Sequence, residues 1–424
     1  MLSELLGNRK LIEFRAAIPD PRSPLLIPHS SFPIPHSSLL FALCSLLFPQ
    51  FRGIVKSMKM NNFVICATRS MKNYAARVVE QLAKFPGFAD VADGFNGVDL
   101  LTADRFADGE LEVVVNSSIR GKDVVVFTSS ARNEAEISVE EAKIELYHTV
   151  DALMRAQASK VTVFEPFVSC SRSDRTARRS SVGLWVHVKT LASLGARHII
   201  TYQLHSDKSK SMIDPAICAM DDMPALTLLE IYLCDTYIKS LEWLENEVRS
   251  KWAFCSVDAG GEKIGLVFAN AFGAPLVIAH KQRDYSRPNT ISSLNILSAE
   301  PIKDKVLWVV DDMIDTAGSV ENLIHALVPL EPREINVIAV HALFSPPAAQ
   351  RIAALKQKGL LNRIIVTDTV CCSPALTSQI PGLEVVSSAR LSARIIKAIV
   401  TNASMSKLML PFDAGSYFKS PDLF

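Results

Sequence analysis

Residues 306–327 carry the densest chemistry in the chain. Val306-Leu307-Trp308-Val309-Val310 is an apolar run that predicts a buried parallel strand. It leads into two adjacent carboxylates, Asp311 and Asp312, and then into Asp315, Thr316, Ala317, Gly318 and Ser319, a turn of small and polar residues. Residues 320–327 have helical spacing. A strand, a tight turn and a helix N-terminus form an anion site, because unpaired backbone N–H groups and the positive end of the helix dipole converge there. Thr316 and Ser319 add hydroxyl donors, while Ala317 and Gly318 let a phosphate approach the backbone. Carboxylates would repel a phosphate, so Asp311 and Asp312 suit the neighbouring hydroxyls of a sugar, held directly or through a divalent cation. Residues 309–319 thus read as a cradle for a sugar phosphate.

Further polar clusters sit between the hydrophobic runs. Residues 166–175 follow a strand predicted over 160–165 and contain Arg172, Asp174 and Arg175. Ligand sites of open α/β sheets lie past the C-terminal ends of strands, and two arginines there can grip triphosphate oxygens bidentately. His205 comes just past a strand predicted over 197–203. Asp258-Ala259-Gly260-Gly261 follows a strand predicted over 252–257, and its doubled glycine opens a helix close to a ligand. It is not a P-loop, since G-x-x-x-x-G-K-[ST] occurs nowhere in the chain. Residues 280–289, polar and charged between two buried strands, suit a mobile lid.

The elements that must position these groups alternate along the chain. Strands are predicted at 62–67, 123–128, 160–165 and 197–203, and helices at 71–84, 138–158 and 182–194. Leu146, Val150, Leu153 and Met154 form one apolar stripe and read as core. A helix is predicted over 225–248, then strands at 252–257, 275–279, 306–310, 335–342, 363–367 and 383–386, with helices at 347–357 and 389–400. Such alternation implies parallel sheets covered on both faces. At 424 residues with 49% hydrophobic content, the chain has room for two domains with full cores. Its net charge of +1 provides no global field for nucleic acid or an anionic membrane. The 8 cysteines show no CxxC pair and read as reduced thiols of a cytosolic protein.

Residues 309–319 resemble the phosphoribosyl-diphosphate (PRPP) loop shared by type I phosphoribosyltransferases and ribose-phosphate pyrophosphokinases (PRPP synthetases). In sequence order, 105–110, 166–175, 205, 258–261 and 281–283 also resemble synthetase segments, and 401–408 resembles the family's ending, so the chain is identified as a divergent member of the synthetase family. The resemblance implies two tandem domains of type I phosphoribosyltransferase-like α/β fold, each with a mostly parallel sheet flanked by helices, over 60–220 and 221–410, followed by a tail at 411–424. It implies ATP bound by Phe106, Asp108 and Glu110 together with Arg172, Asp174 and Arg175, shared across a subunit interface of a homo-oligomer. It implies magnesium held through His205 and Asp258, and a lid whose Lys281 and Arg283 stabilise the transferring group. Ribose 5-phosphate would place its 5-phosphate on 315–319 and its 2- and 3-hydroxyls near Asp311 and Asp312. The implied reaction yields PRPP and AMP. The chain departs from the family in having Ser173 for the usual Gln, Gln203 for Asp, and 206–210 for a glycine-containing stretch. A non-catalytic synthetase-associated subunit and a type I phosphoribosyltransferase remain as alternatives.

Residues 1–57, rich in Pro, Ser, His and Leu, read as a disordered extension or a start placed too early. The apolar run at 39–48 is too short to span a bilayer, and its flanks fit a signal peptide poorly. Acidic residues at 4, 13 and 20 weaken an organelle transit reading, which leaves the cytoplasm as the expected location.

Overall fold

The first half of the folded chain is built on a parallel sheet whose central strands are almost entirely apolar. In chain order it runs β1 (Phe63–Ala67), α1 (Lys72–Ala83), β2 (Leu101–Arg105), β3 (Leu111–Val115), β4 (Asp123–Phe127), α2 (Val139–Arg155), β5 (Lys160–Phe164), α3 (Gly183–Leu194), β6 (Ala196–Tyr202) and β7 (Ala219–Met223). Strands β1-β4-β5-β6-β7 form one sheet in that order, parallel throughout, while β2 and β3 pair antiparallel as a separate hairpin. This computed structural model describes residues 62–89, 100–131, 133, 135–176, 179–257, 260–283 and 291–420, with the backbone alone at 281–283 and 291–293. The extension expected at 1–57, Asp258 and most of the expected lid lie outside the described residues.

The second half continues as α4 (Leu226–Tyr237), β8 (Trp252–Ser256), α5 (Glu262–Phe272), β9 (Leu276–Arg283), β10 (Ile291–Ser298), β11 (Val306–Ile314), α6 (Gly318–Leu327), β12 (Glu334–Ala342), α7 (Ala348–Gln357), β13 (Arg363–Thr367), β14 (Leu383–Val386), α8 (Ala389–Thr401) and α9 (Ala414–Lys419). Its sheet has the order β10-β9-β8-β11-β12-β13-β14, with β10 antiparallel to β9 and the other neighbours parallel. This is the α/β class expected from the sequence, with parallel sheets flanked by helices.

Local chemistry accounts for several element ends. Ser138 caps α2 by accepting from Glu141 N at 3.2 Å, and Glu140 and Glu141 favour the positive helix end. Gly195 ends α3 at φ 110°, a conformation that suits glycine. The helix expected over 225–248 is interrupted: Ile238 turns extended (φ −111°, ψ 118°) and Ser240 caps a second stretch by accepting from Trp243 N at 3.1 Å. A β-branched residue followed by a capping serine stops the first helix. The sequence pattern also missed β7, an edge strand with two aspartates that lacks the apolar signature of its neighbours.

The largest core cluster joins the halves, bringing Tyr74, Phe127, Phe164 and Tyr202 together with Phe254, Trp308, Val340 and Ile395. Within it the Tyr74 hydroxyl lies 2.7 Å from the hydroxyls of Ser388 and Ser392, and the Tyr202 hydroxyl 2.7 Å from Ser392. A buried hydroxyl must find a partner or lose its desolvation energy, so these contacts lock α1 and β6 onto α8 in one register. On α2, Leu146, Val150 and Leu153 are fully buried and Met154 packs at their edge, as the stripe predicts.

Candidate active site

Strand β11 outruns one of its neighbours. Its pairing with β8 ends at Val310 opposite Ser256, while its pairing with β12 continues to Ile314 opposite Ala342. Asp311 and Asp312 were expected just past the strand, but the ladder to β12 keeps them within it. They stand where the β8 side of the sheet has stopped, so a crevice opens beside them at the strands' C-terminal ends. The turn follows at once. Ala317 adopts φ 59° and serves as the N-cap of α6, so the positive end of the helix dipole lies at this turn. Arg351, from α7, donates to Thr316 O at 3.0 Å and pairs with Glu321 at 3.1 Å, fixing the turn from outside. A Cβ on Gly318 would sit 2.9 Å from an Arg351 nitrogen, so a side chain there would push the tip of Arg351 aside.

Two groups from the first half reach this loop. His205 Nδ1 lies 2.7 Å from Asp312 Oδ2. Burial of Asp312 favours its neutral form, yet the hydrogen bond and charge of His205 outweigh it, and its pKa falls below the ordinary carboxylate value. The carboxylate therefore accepts, Nδ1 carries the proton, and Asp312 raises the His205 pKa above the usual imidazole value against partial burial. Arg172 donates from Nη1 to Asp315 Oδ2 at 2.7 Å. Burial pushes the Asp315 pKa up, but hydrogen bonds from Ser345 and Arg172 bring it below the ordinary range. Arg172, His205 and all of residues 311–319 line one cavity of about 890 Å³, shared with Gly260, Gly261 and Lys263. Asp174 is near enough to His205 to raise its pKa further, while Arg175 is exposed on the same loop. Ser173, a departure from the family, accepts from Gly183 N at 3.0 Å and ties the arginine loop to the start of α3.

Other expected site residues lie elsewhere. Phe106, 52% exposed, Asp108 and Glu110 occupy the β2–β3 turn, where Asp108 accepts from Glu110 N at 3.0 Å. None of the three lines the cavity. Lys281 and Arg283 were expected on a loop but belong to β9, paired with Leu294 and Ile291 of β10. The antiparallel ladder carries the polar segment beyond the predicted end of the strand at 279. Three contributors escaped the sequence reading: Arg351; Asp222, which accepts from Leu204 N at 3.0 Å and whose pKa burial raises to about 6; and His341. Each acts through a neighbour's backbone, a role that leaves no mark in the spacing of a motif.

A family model described as the N-terminal domain of ribose phosphate pyrophosphokinase matches residues 63–195, and a phosphoribosyl transferase domain model matches 236–358. A protein of Bifidobacterium longum named ribose-phosphate pyrophosphokinase is 32% identical over 323 residues, covering 75% of this chain and 88% of its own. One of Arabidopsis thaliana, named ribose-phosphate pyrophosphokinase 1, chloroplastic, is 31% identical over 329 residues, covering 77% of this chain and 75% of its own. The crystal structure of phosphoribosylpyrophosphate synthetase from Mycobacterium smegmatis matches with a TM-score of 0.66 at 27% identity, covering 81% of this chain and 100% of that one. Its residues, its fold and its relatives agree: the chain belongs to the ribose-phosphate pyrophosphokinase family.

Proposed function

We propose that the protein transfers the diphosphate of ATP to the C1 hydroxyl of ribose 5-phosphate, giving PRPP and AMP. The observation that carries this is the meeting of Arg172 and His205, from the first half, with residues 311–319 of the second in one cavity. The 5-phosphate sits on the 315–319 turn at the start of α6, and the ribose hydroxyls meet Asp311 and Asp312. Arg172 and Arg175 bind the triphosphate, and Asp174 orients the arginine loop beside His205. The anomeric oxygen attacks the β-phosphorus and AMP leaves. Such transfers depend mostly on positioning and on stabilising spread charge; Lys281 and Arg283, at the end of β9, provide the cationic cover.

Magnesium fits this donor set. In its neutral form, with Nδ1–H donated to Asp312, the half-exposed His205 offers Nε2 as its acceptor, an arrangement in which a carboxylate orients a metal-binding imidazole. The described residues hold no group of three or more His, Cys, Asp or Glu able to hold a metal ion, and magnesium commonly binds through one or two protein groups plus phosphate oxygens and water. His205 and Asp258 would hold it, and bound there it would neutralise the charge of the triphosphate.

Because the β2–β3 turn does not line the cavity, we assign Phe106, Asp108 and Glu110 to the adenine site of a second copy in a homo-oligomer. We take 60–220 as the ATP-binding domain and 221–410 as the sugar-phosphate domain. No described helix is long and apolar enough to cross a membrane, and the free cysteines suit a reducing compartment such as the cytoplasm. The test is purified protein with ATP, magnesium and ribose 5-phosphate, scored for both products. Formation of AMP and PRPP in equal amounts supports the reading. Neither product would leave a non-catalytic subunit, and PRPP consumption with a nucleobase a phosphoribosyltransferase.

A further inference from the structure

His341 lies fully buried on β12, and the binding roles above do not use it. β12 pairs with β11 so that His341 stands beside Met313, next to Asp312. Its Nε2 is 3.1 Å from the carbonyl oxygens of both Tyr202 and Gln203. Carbonyls only accept, so Nε2 carries the proton, and Nδ1, 2.9 Å from Thr369 Oγ1, is the acceptor. Burial lowers the pKa of the ring to about 4, which keeps this neutral tautomer at ordinary pH. Phe167 packs edge-on against the imidazole with centroids 4.8 Å apart.

The two carbonyls belong to the turn that delivers His205. Gln203 holds φ 43°, a left-handed conformation that a residue with a Cβ keeps only under restraint. Restraint comes from three directions. Met223 O accepts from Gln203 N at 3.1 Å, Asp222 accepts from Leu204 N at 3.0 Å, and His341 donates to the two carbonyls. Met223 and Asp222 belong to β7, in the same sheet as β6; His341 belongs to the sheet that carries Asp312. Its contact therefore sets the height of the His205 turn relative to the carboxylate that His205 must meet.

We propose that His341 is a positioning residue for the diphosphate transfer: by donating Nε2–H to Tyr202 and Gln203 it fixes the turn that aims His205 at Asp312. This rests on the reaction proposed above. It requires no proton transfer by His341, only a donor at that place. A displacement of about 1 Å at a reacting centre can lower turnover about 100-fold, whereas the 315–319 turn is held separately by Arg351.

The test compares wild type, His341→Leu, His341→Gln and Ile338→Ala, the last a buried apolar change on the same strand. Leu removes the donor, and the Gln side-chain amide can supply one. His341→Leu should lose about 100-fold in kcat while the KM for ribose 5-phosphate stays within about threefold. His341→Gln should recover to within about tenfold of wild type. Ile338→Ala should lose thermal stability yet keep kcat within about threefold. The crystal structure of His341→Leu should show the His205–Asp312 contact broken. If that variant does not fold, His341→Phe, which keeps a planar ring but has no donor, should give the same kcat-selective loss at about 100-fold. A loss in these variants no larger than that of Ile338→Ala, or an intact Gln203 turn and His205–Asp312 contact in the His341→Leu structure, overturns the proposal. A wild type that forms neither product defeats the reaction reading instead, and the crystal structure of the variant still decides the positioning role.

Discussion

His205 and Asp312, 107 residues apart in sequence, meet at 2.7 Å where the ends of β6 and β11 face each other. Each side chain changes what the other can do. The carboxylate keeps an imidazole proton on Nδ1, so the neutral ring presents Nε2 as its acceptor. The imidazole engages one carboxylate oxygen, so Asp312 is only partly available to a sugar hydroxyl.

Asp312→Asn keeps an oxygen acceptor but removes the charge that makes the imidazole basic. Carboxylates that orient a metal-binding histidine typically contribute about 10- to 100-fold to metal affinity. The magnesium concentration giving half-maximal AMP release should therefore rise by about that factor, with the melting temperature little changed. A magnesium titration on both proteins checks this, and an unshifted curve would remove His205 from the metal site.

Arg172 holds Asp315 across the cavity, yet its side chain is 55% exposed. An ion pair so open to solvent contributes little to stability, about 0–1 kcal/mol. Arg172→Ala should leave the melting temperature nearly unchanged and raise the KM for ATP by about tenfold or more. Calorimetry together with ATP titration of initial rates separates the two effects. A large drop in melting temperature with an unaltered KM would make the arginine a structural tie.

Lys281 and Arg283 extend the antiparallel β9–β10 pair. A backbone ladder does not depend on side-chain charge, so Lys281→Ala and Arg283→Ala should fold normally. Removal of one group that stabilises transition-state charge commonly lowers turnover about 100- to 1000-fold. Rapid-quench measurement of AMP release tests both variants, and near-normal rates would exclude them from the reaction.

Glu230 predicts a pH signature in the folding equilibrium. Burial raises its pKa from 4.5 to about 8, and its Oε1 has no hydrogen-bond partner among the described residues. The unfolded chain releases this proton near the ordinary value while the folded chain retains it. Stability is thus lost as pH rises between about 4.5 and 8, at a slope of at most about 1.4 kcal/mol per pH unit. The advantage of Glu230→Gln in thermal unfolding should be small at the acid end of that window and grow to a few kcal/mol at its upper end. A constant difference across the window would contradict the assignment.

The sequence by itself determined the parallel α/β plan, because apolar runs such as 306–310 and helical stripes such as Leu146, Val150 and Leu153 carry their own periodicity. It also determined the strand–turn–helix around 315–319, since strand, small-residue turn and helix are contiguous in the chain. Tertiary structure decided what depends on distant neighbours. β11 carries Asp311 and Asp312 inside the ladder because β12 continues where β8 stops, and β9 takes in Lys281 and Arg283 because β10 returns beside it. The polar edge strand β7 is held by pairing along β6, with no apolar pattern to announce it. Arg351 and His341 act on the carbonyls of residues far away in sequence, and a backbone hydrogen bond leaves no trace in the identity of the residue that accepts it.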